Sequence, residues 1–134
     1  MLKRIGLCLG LLIFMGSAFA DWSHYALVLF YESTCPHCQR FTPIVAAVAA
    51  QQNIKLYAFT LNGGTLPAVA KDTAPANPDI VNNFYQNAPS HEVPAVFLVN
   101  VNTMAFLPVS VGEEPEGQFV AQVQEAYQAM EQGQ

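Results

Sequence analysis

Charged side chains are scarce in this sequence of 134 residues. Only 11% of the residues are charged, and five lysines and arginines stand against ten aspartates and glutamates, which gives a net charge of −5. A chain this acidic lacks the basic patch that would neutralise the phosphates of a nucleic acid. Internal repeats and low-complexity tracts are also absent from the sequence. The composition therefore excludes a nucleic-acid-binding protein and a repeat protein.

Long apolar runs are rare as well, although 52% of the residues are hydrophobic. The longest run follows Lys3 and Arg4 and ends in the small-residue pattern Ala18-Phe19-Ala20. A basic start, an apolar centre and a small-x-small end predict a secretory signal peptide over residues 1–20. The 16 residues from Ile5 to Ala20 are fewer than the roughly 18–20 of a spanning helix, which excludes a polytopic membrane protein. An uncleaved membrane anchor is the alternative to cleavage.

Cysteine is the third scarce residue, and its positions are informative. Of the three cysteines, Cys8 lies in the predicted signal, so the mature domain, residues 21–134, keeps only Cys35 and Cys38. This domain of 114 residues also keeps three basic residues against ten acids, a net charge of −7, and has room for one core. Two cysteines separated by two residues close a very small ring, and a cross-link stabilises a fold less when its loop is short. The pair therefore indicates reactivity rather than structural cross-linking.

Apolar periodicity predicts a single compact α/β domain. Tyr25–Tyr31 is a continuous apolar run, typical of a strand buried on both faces of a mainly parallel sheet. A helix with one apolar stripe is predicted from Pro36 to about Gln52, with the hydroxyls of Ser33 and Thr34 available to cap its start. Three further strands are predicted at Ile54–Leu61, Ala95–Val101 and Met104–Ser110, the last at a sheet edge because of Pro108. An irregular loop is predicted over 62–77 and a short helix from Pro78. A last helix is predicted to start at Pro115 and the acids around it, Glu113, Glu114 and Glu116.

The candidate catalytic residues are Cys35-Pro36-His37-Cys38, at the predicted junction of a strand and a helix. Unpaired N–H groups at a helix start stabilise a thiolate, and the thiolate is the form of cysteine that attacks disulfides. Cys35 is therefore the predicted nucleophile. Cys38, one turn further in, is the predicted resolving thiol that displaces the substrate from a mixed disulfide. Pro36 and His37 are the predicted thiolate-tuning residues, and for His37 a solvated histidine is the alternative.

Two other chemistries remain open for this cysteine pair. It could form half of a zinc or copper site, which needs further ligands, and the mature chain offers only His24, His37, His91 and methionines. It could also be an inert structural disulfide. We expect no metal and no organic cofactor, because a cysteine pair by itself carries two electrons.

The sequence resembles the thioredoxin family over nearly all of its mature part. The resemblance rests on a buried strand, a CxxC at a helix start, Pro43 eight residues after Cys35, and Val93-Pro94 before a strand. It implies a thioredoxin-like fold with a compact central mixed sheet flanked by helices. It further implies that Pro94 is cis and faces the cysteines, and that the backbone of Val93 pairs with an extended substrate segment. An ordinary trans proline that opens a strand is the alternative.

One position departs from the thioredoxin pattern. Many thioredoxins carry a buried carboxylate six residues before the first cysteine, where it assists proton transfer at the second cysteine. Leu29 stands at that position here, and Glu32, three residues before Cys35, does not replace it in sequence. The group that handles the proton of Cys38 is therefore open.

Within that fold, the sequence is most similar to the TrbB-type disulfide isomerases of F-like conjugative transfer systems. The stretch over 97–103, the following Leu107-Pro108, the short length, the signal and Leu29 carry this similarity. It implies a periplasmic thiol-disulfide oxidoreductase or isomerase that acts on exported cysteine-containing proteins of a conjugative type IV secretion system and is recycled by a redox partner. Pro36-His37 and Val93 are also like the DsbA-type oxidases, but those insert a large helical domain for which this chain has little room. A DsbA-like oxidase, a reductase of another pathway and a non-catalytic metal-binding assembly module are the alternatives.

Overall fold

A five-stranded sheet runs through the computed structural model, which describes residues 20–85 and 92–133. The strands are β1 (Tyr25–Tyr31), β2 (Lys55–Thr60), β3 (Thr73–Pro75), β4 (Ala95–Asn100) and β5 (Phe106–Val111). The helices are α1 (Pro36–Gln52), a short α2 (Pro78–Ile80) that continues into a π-helical turn over Val81–Tyr85, and α3 (Glu116–Gln132), and a 3₁₀ helix covers Pro67–Asp72. The predicted signal peptide over 1–20 lies, except for Ala20, outside the described residues and stays a prediction. No helix within 20–85 and 92–133 is long and apolar enough to cross a membrane.

The sheet is mixed, with the strand order β3-β2-β1-β4-β5. β1, β2 and β3 run parallel to one another, whereas β4 is antiparallel to both β1 and β5. Because α1 connects the parallel strands β1 and β2, it crosses one face of the sheet, and α3 packs on β5. The predicted α/β class and the mixed sheet flanked by helices are confirmed.

β1 is the central strand and is buried along its whole length. Its residues alternate between the two faces, as the pleat of a strand requires. Leu27, Leu29 and Tyr31 belong to the larger core, which includes Phe41 of α1 and residues of α3. The intervening residues of β1 belong to a second core with Phe84 and Tyr85 from the α2 segment and with Phe97 of β4. The continuous apolar run of β1 therefore reflects burial on both faces, as predicted.

The structure changes the prediction for the stretch over 62–77 and adds detail to the prediction for β5. The stretch over 62–77 is not wholly irregular, because it holds the 3₁₀ helix and β3, which pairs with Ala58–Thr60. Three residues that end in a proline are too few to show a strand period, which is why the pattern missed β3. β5 is an edge strand, as Pro108 predicted, and its pairing with β4 shifts by one residue beside this proline.

We expect the contact between α1 and α3 to be a main source of stability. The rings of Phe41 and Phe119 lie 5.2 Å apart in an edge-to-face arrangement, and both side chains are fully buried. Phe119→Ala should therefore lower the free energy of unfolding by about 3–5 kcal/mol, measured by urea denaturation. Val101→Ala, at a residue that is 44% exposed, is the control and should change it by less than about 0.5 kcal/mol. Equal losses for the two variants would contradict this description of the core.

Candidate functional site

The two cysteines lie where the chain passes from β1 into α1. Cys35 is itself the capping residue of the helix, because its sulfur accepts a hydrogen bond from the backbone N–H of Cys38 at 3.3 Å. The expected hydroxyl cap from Ser33 or Thr34 is wrong, since the helix begins at Pro36 and these residues stand too early in the chain. The sulfur of Cys35 therefore takes the place where a helix stabilises negative charge.

The two thiols, both free, differ in their surroundings. Cys35 is half-buried, whereas Cys38 is fully buried in the larger core. Burial raises the pKa of the Cys38 thiol to about 12, and the hydrogen bond with Cys35 acts in the same direction. A smaller effect, a backbone hydrogen bond with Glu32, lowers that pKa. Cys38 is therefore a protonated, sheltered thiol at neutral pH.

A cis peptide bond joins Val93 to Pro94 beside the cysteines. The thiol of Cys35 lies 3.9 Å from the carbonyl oxygen of Val93, to which it donates a long hydrogen bond. Pro94 is buried, and its carbonyl oxygen accepts a hydrogen bond of 2.8 Å from the N–H of Gly112. Gly112 has φ +87°, a conformation that favours glycine, and it carries the chain from β5 toward the site. The structure thus brings together Cys35, Val93 and Pro94, as the resemblance implied.

Asn62 ties the loop before the cysteines to the end of β2. Its side-chain oxygen accepts hydrogen bonds from the backbone N–H groups of Ser33 at 3.2 Å and Gly64 at 3.1 Å. Its amide nitrogen donates to the hydroxyl of Ser33 at 3.2 Å and, at 3.4 Å, to that of Thr34. Gly64 packs so closely that an added Cβ would lie 1.9 Å from the hydroxyl oxygen of Ser33. These contacts hold the approach to Cys35, and no pattern in the sequence pointed to them.

His37 does not stand alone on the first turn of α1. Its Nδ1 atom lies 3.3 Å from Oε1 of Glu113 and 3.1 Å from a terminal nitrogen of Arg40. Nε of Arg40 donates to Oε2 of Glu113 at 2.7 Å. A guanidinium can only donate a hydrogen bond and a carboxylate can only accept one. Nδ1 can therefore form a hydrogen bond with Arg40 or with Glu113, but not with both at the same time. The imidazole is therefore held by an ion pair between α1 and the loop after β5.

A cavity of about 560 Å³ opens beside the cis peptide bond. It is lined by His37, Glu92, Val93, Gly112 and Glu113. In the part of the chain that the structure describes, the exposed large apolar side chains are Tyr57, Val101 and Met104, and none of them lines this cavity. Three of the five residues that line the cavity, His37, Glu92 and Glu113, carry ionisable side chains, and Val93 contributes an apolar one.

Tyr85 is a further titratable residue near the cysteines. Its side chain is buried against the ring of Phe30, 5.5 Å away. Burial raises the pKa of Tyr85 to about 12, and the negative charges of Glu32, Cys38 in its thiolate form and Glu92 add to this. Leu29, in contrast, is fully buried in the core, so its position offers no proton acceptor to Cys38.

Sequence reasoning named the two cysteines and Val93-Pro94, which the structure brings together, but it did not name the residues that form hydrogen bonds around them. Glu113 had been assigned to the start of the last helix, but α3 begins at Glu116 and the carboxylate of Glu113 contacts Arg40 and His37 instead. Arg40 and Glu113 are 73 residues apart in the chain, and no local pattern links them. Within the described residues, no cluster of three or more His, Cys, Asp or Glu side chains is arranged to hold a metal ion.

Solved structures show which fold this arrangement represents. The chain superposes on a thiol:disulfide interchange protein of the thioredoxin family from Chlorobium tepidum with a TM-score of 0.58 and 17% identity, over 77% of this chain and 79% of the other. It superposes on StoA from Bacillus subtilis with a TM-score of 0.55 and 15% identity, over 77% and 84% of the two chains. At these identities the likeness concerns the fold, which is that of thioredoxin.

Sequence relatives identify the family. Protein TrbB from Escherichia coli (strain K12) is 36% identical over 104 residues, which are 78% of this chain and 55% of TrbB, so the chain spans about half the length of this curated relative. A family model described as "TraF: F plasmid transfer operon protein" matches residues 21–123. The resemblance inferred from the stretch over 97–103 is thereby confirmed. This chain belongs to the TraF family of F plasmid transfer operon proteins, with a thioredoxin fold.

Proposed function

We propose that this protein is a periplasmic thiol-disulfide oxidoreductase that forms or rearranges disulfides in exported proteins of a conjugative type IV secretion system. One observation carries the proposal: the half-buried sulfur of Cys35 caps α1 and lies against the carbonyl of Val93 beside the cis Pro94, with Cys38 buried behind it. This arrangement presents one sulfur to a substrate and shelters the other.

The first step is an attack by Cys35. Its thiolate, stabilised by the N–H of Cys38 and the start of α1, attacks one sulfur of a substrate disulfide. A bond forms between Cys35 and that sulfur, the substrate disulfide breaks, and the second substrate sulfur leaves as a thiolate. Pro36 preorganises the first turn, and His37 supplies a donor near the thiolate, which is the tuning role we assign to these two residues.

The second step releases the substrate. Cys38 loses its proton and attacks the sulfur of Cys35, which forms the internal disulfide and frees the substrate as a dithiol; the reverse sequence oxidises a substrate. The raised pKa of Cys38 requires a proton acceptor for this step. The charge of Glu32 acts on Cys38. We therefore assign the role of proton acceptor to Glu32, since Leu29 stands where many thioredoxins carry a buried carboxylate.

Substrate docking uses the backbone next to the cis peptide bond. Val93 is partly exposed, and among residues 20–85 and 92–133 its carbonyl oxygen accepts only the long hydrogen bond from the thiol of Cys35. An extended substrate segment can pair with this backbone as an added strand, which would bring its cysteine to Cys35. Val93 and Pro94 are therefore the proposed substrate-binding residues.

The compartment and the partners follow from the family. The predicted signal peptide would direct export of the protein to the periplasm, a compartment in which disulfides are stable. Membership in a family of transfer operon proteins favours cysteine-containing components of the conjugation apparatus, including its pilus, as substrates. When the pair oxidises a substrate it becomes a dithiol, and when it reduces a substrate it becomes a disulfide. A separate redox protein must therefore return the pair to its starting state.

The difference between the two thiols predicts their order of alkylation. In Cys38→Ser the remaining Cys35 should react with iodoacetamide at pH 8 at least roughly tenfold faster than Cys38 does in Cys35→Ser, because burial keeps Cys38 protonated. Since the pKa of Cys38 is raised to about 12, its rate should keep rising with pH well above pH 9. Mass spectrometry of the labelled protein measures both rates. Faster labelling of Cys38 would reverse the assigned roles.

Enzyme activity is tested with the purified protein. It should accelerate the reduction of insulin by dithiothreitol and the refolding of scrambled ribonuclease, whereas Cys35→Ser should show neither effect because it lacks the nucleophile. The relative size of the two rates, together with the reduction potential, distinguishes an isomerase from a reductase or an oxidase. If wild type and Cys35→Ser gave the same rates in both assays, the proposed activity would be rejected.

The substrates are tested by trapping in the host cell. Cys38→Ala cannot resolve the mixed disulfide, so it should accumulate in covalent complexes that disappear on reduction. We expect mass spectrometry to find cysteine-containing conjugation proteins in these complexes, and the double variant Cys35→Ser/Cys38→Ala is the control that should capture none. Complexes that contain only proteins unrelated to conjugation would reject the proposed substrates and leave the exchange chemistry in place.

A further inference from the structure

We propose that Glu113 is a positioning residue that limits the oxidising power of the Cys35–Cys38 pair, because it pairs with the guanidinium of Arg40 and so weakens the stabilisation that this positive charge gives to the Cys35 thiolate. The proposal deepens the proposed function and rests on it, since it concerns the redox poise of the same cysteine pair. It assigns a role to a carboxylate that has none in the exchange steps themselves.

The geometry shows one carboxylate with two basic partners. Oε2 of Glu113 accepts from Nε of Arg40 at 2.7 Å, and Oε1 lies 3.3 Å from Nδ1 of His37. The side chain of Glu113 is 29% exposed, whereas those of His37 and Arg40 are 62% and 56% exposed. The least exposed of the three side chains, Glu113, therefore holds Arg40 through Oε2, and its Oε1 lies against His37, on the first turns of α1.

The guanidinium of Arg40 also lies within electrostatic range of the nucleophile. The pKa of Arg40 is raised, first by its hydrogen bond with Glu113, then by the charge of that carboxylate, and further by the charge of Cys35. The pKa of Glu113 is lowered, chiefly by the hydrogen bond from Arg40 and to a smaller extent by that with His37. The carboxylate is thus ionised at neutral pH, and it competes with the Cys35 thiolate for the same guanidinium.

Other charged groups around the site do not share these contacts. Glu32 precedes the cysteines on the loop after β1, and Glu92 precedes Val93. Both are acidic, so they also disfavour a thiolate, but neither forms a hydrogen bond or ion pair with Arg40 or His37 in the described part of the chain. Glu113 is therefore the carboxylate through which the two basic groups are positioned.

The effect on the redox equilibrium has a definite sign. One protein disulfide and two molecules of glutathione form one protein dithiol and one glutathione disulfide. A thiolate that is stabilised by positive charge favours the dithiol and makes the disulfide a stronger oxidant. Because Glu113 reduces this stabilisation, its ionised form shifts the equilibrium toward the disulfide and makes the pair less oxidising than the helix start alone would.

Glu113→Gln is the decisive variant, because glutamine keeps the size and an acceptor oxygen but removes the charge. The equilibrium constant with glutathione should move about threefold toward the protein dithiol, the size expected for one partly exposed ion pair. Threefold corresponds to about 14 mV toward a more oxidising potential. The absorbance of thiolate at 240 nm should show a larger thiolate fraction at a fixed pH near neutrality.

The neighbouring residue provides a matched control. Glu114→Gln removes the same charge one position along the chain, but the carboxylate of Glu114 accepts from the amide of Gln122 and contacts neither basic residue. It should change the equilibrium by less than about 1.5-fold because it acts only through screened, longer-range interactions. Arg40→Gln should shift the equilibrium in the opposite direction, toward the disulfide. Equal effects of Glu113→Gln and Glu114→Gln, or a shift of Glu113→Gln toward the disulfide, would overturn the proposal.

These measurements separate the inference from the proposed function. The glutathione equilibrium and the thiolate absorbance need only the two cysteines, not turnover of a protein substrate. If the protein failed to act on insulin and scrambled ribonuclease but the Glu113→Gln shift appeared, the enzyme proposal would fail and the positioning role would stand. If the protein were active and the shift were absent, the positioning role alone would fail.

Discussion

The hydrogen bond from the backbone N–H of Cys38 to the sulfur of Cys35 is the interaction around which this molecule is arranged. It makes the sulfur the cap of α1, so the reactive atom and the positive end of the helix coincide. A serine or threonine in this place would cap the helix equally well but could not exchange disulfides. One bond thus contributes to the stability of the helix start and to the stability of the thiolate.

That bond has its geometry only because the core holds α1 in place. β1 is buried on both faces and ends at the site, and the contact of Phe41 with Phe119 fixes α1 against α3. The antiparallel strand β4 begins next to the end of β1, which brings the cis peptide bond of Val93 and Pro94 to the sulfur. The chemistry of two residues therefore depends on the packing of three elements that are distant in sequence.

Electrostatics around the site is divided between the interior and the surface. Inside, burial keeps the thiol of Cys38 and the phenol of Tyr85 protonated at neutral pH. At the surface, Arg40, His37 and Glu113 form a short chain of charged and hydrogen-bonded groups across the rim. In the proposed mechanism, the burial of Cys38 leaves Cys35 as the attacking thiol, and the groups at the rim adjust how strongly the pair oxidises.

The sequence by itself determined the fold class and the family resemblance, and it placed the cysteine pair at the start of a helix. The apolar run of β1, the CxxC at the start of a helix and Val93-Pro94 before a strand are local patterns, and local patterns reflect periodicity and backbone preference directly. Tertiary structure alone decided that Cys35 rather than a hydroxyl caps α1, that β3 extends the sheet, and that Asn62 and Glu113 hold the loop and the basic groups beside the cysteines. Such contacts join residues far apart in the chain, and they form only when the packed core brings the ends of β1, β2, β4 and β5 to the same edge, which no single stretch of sequence encodes.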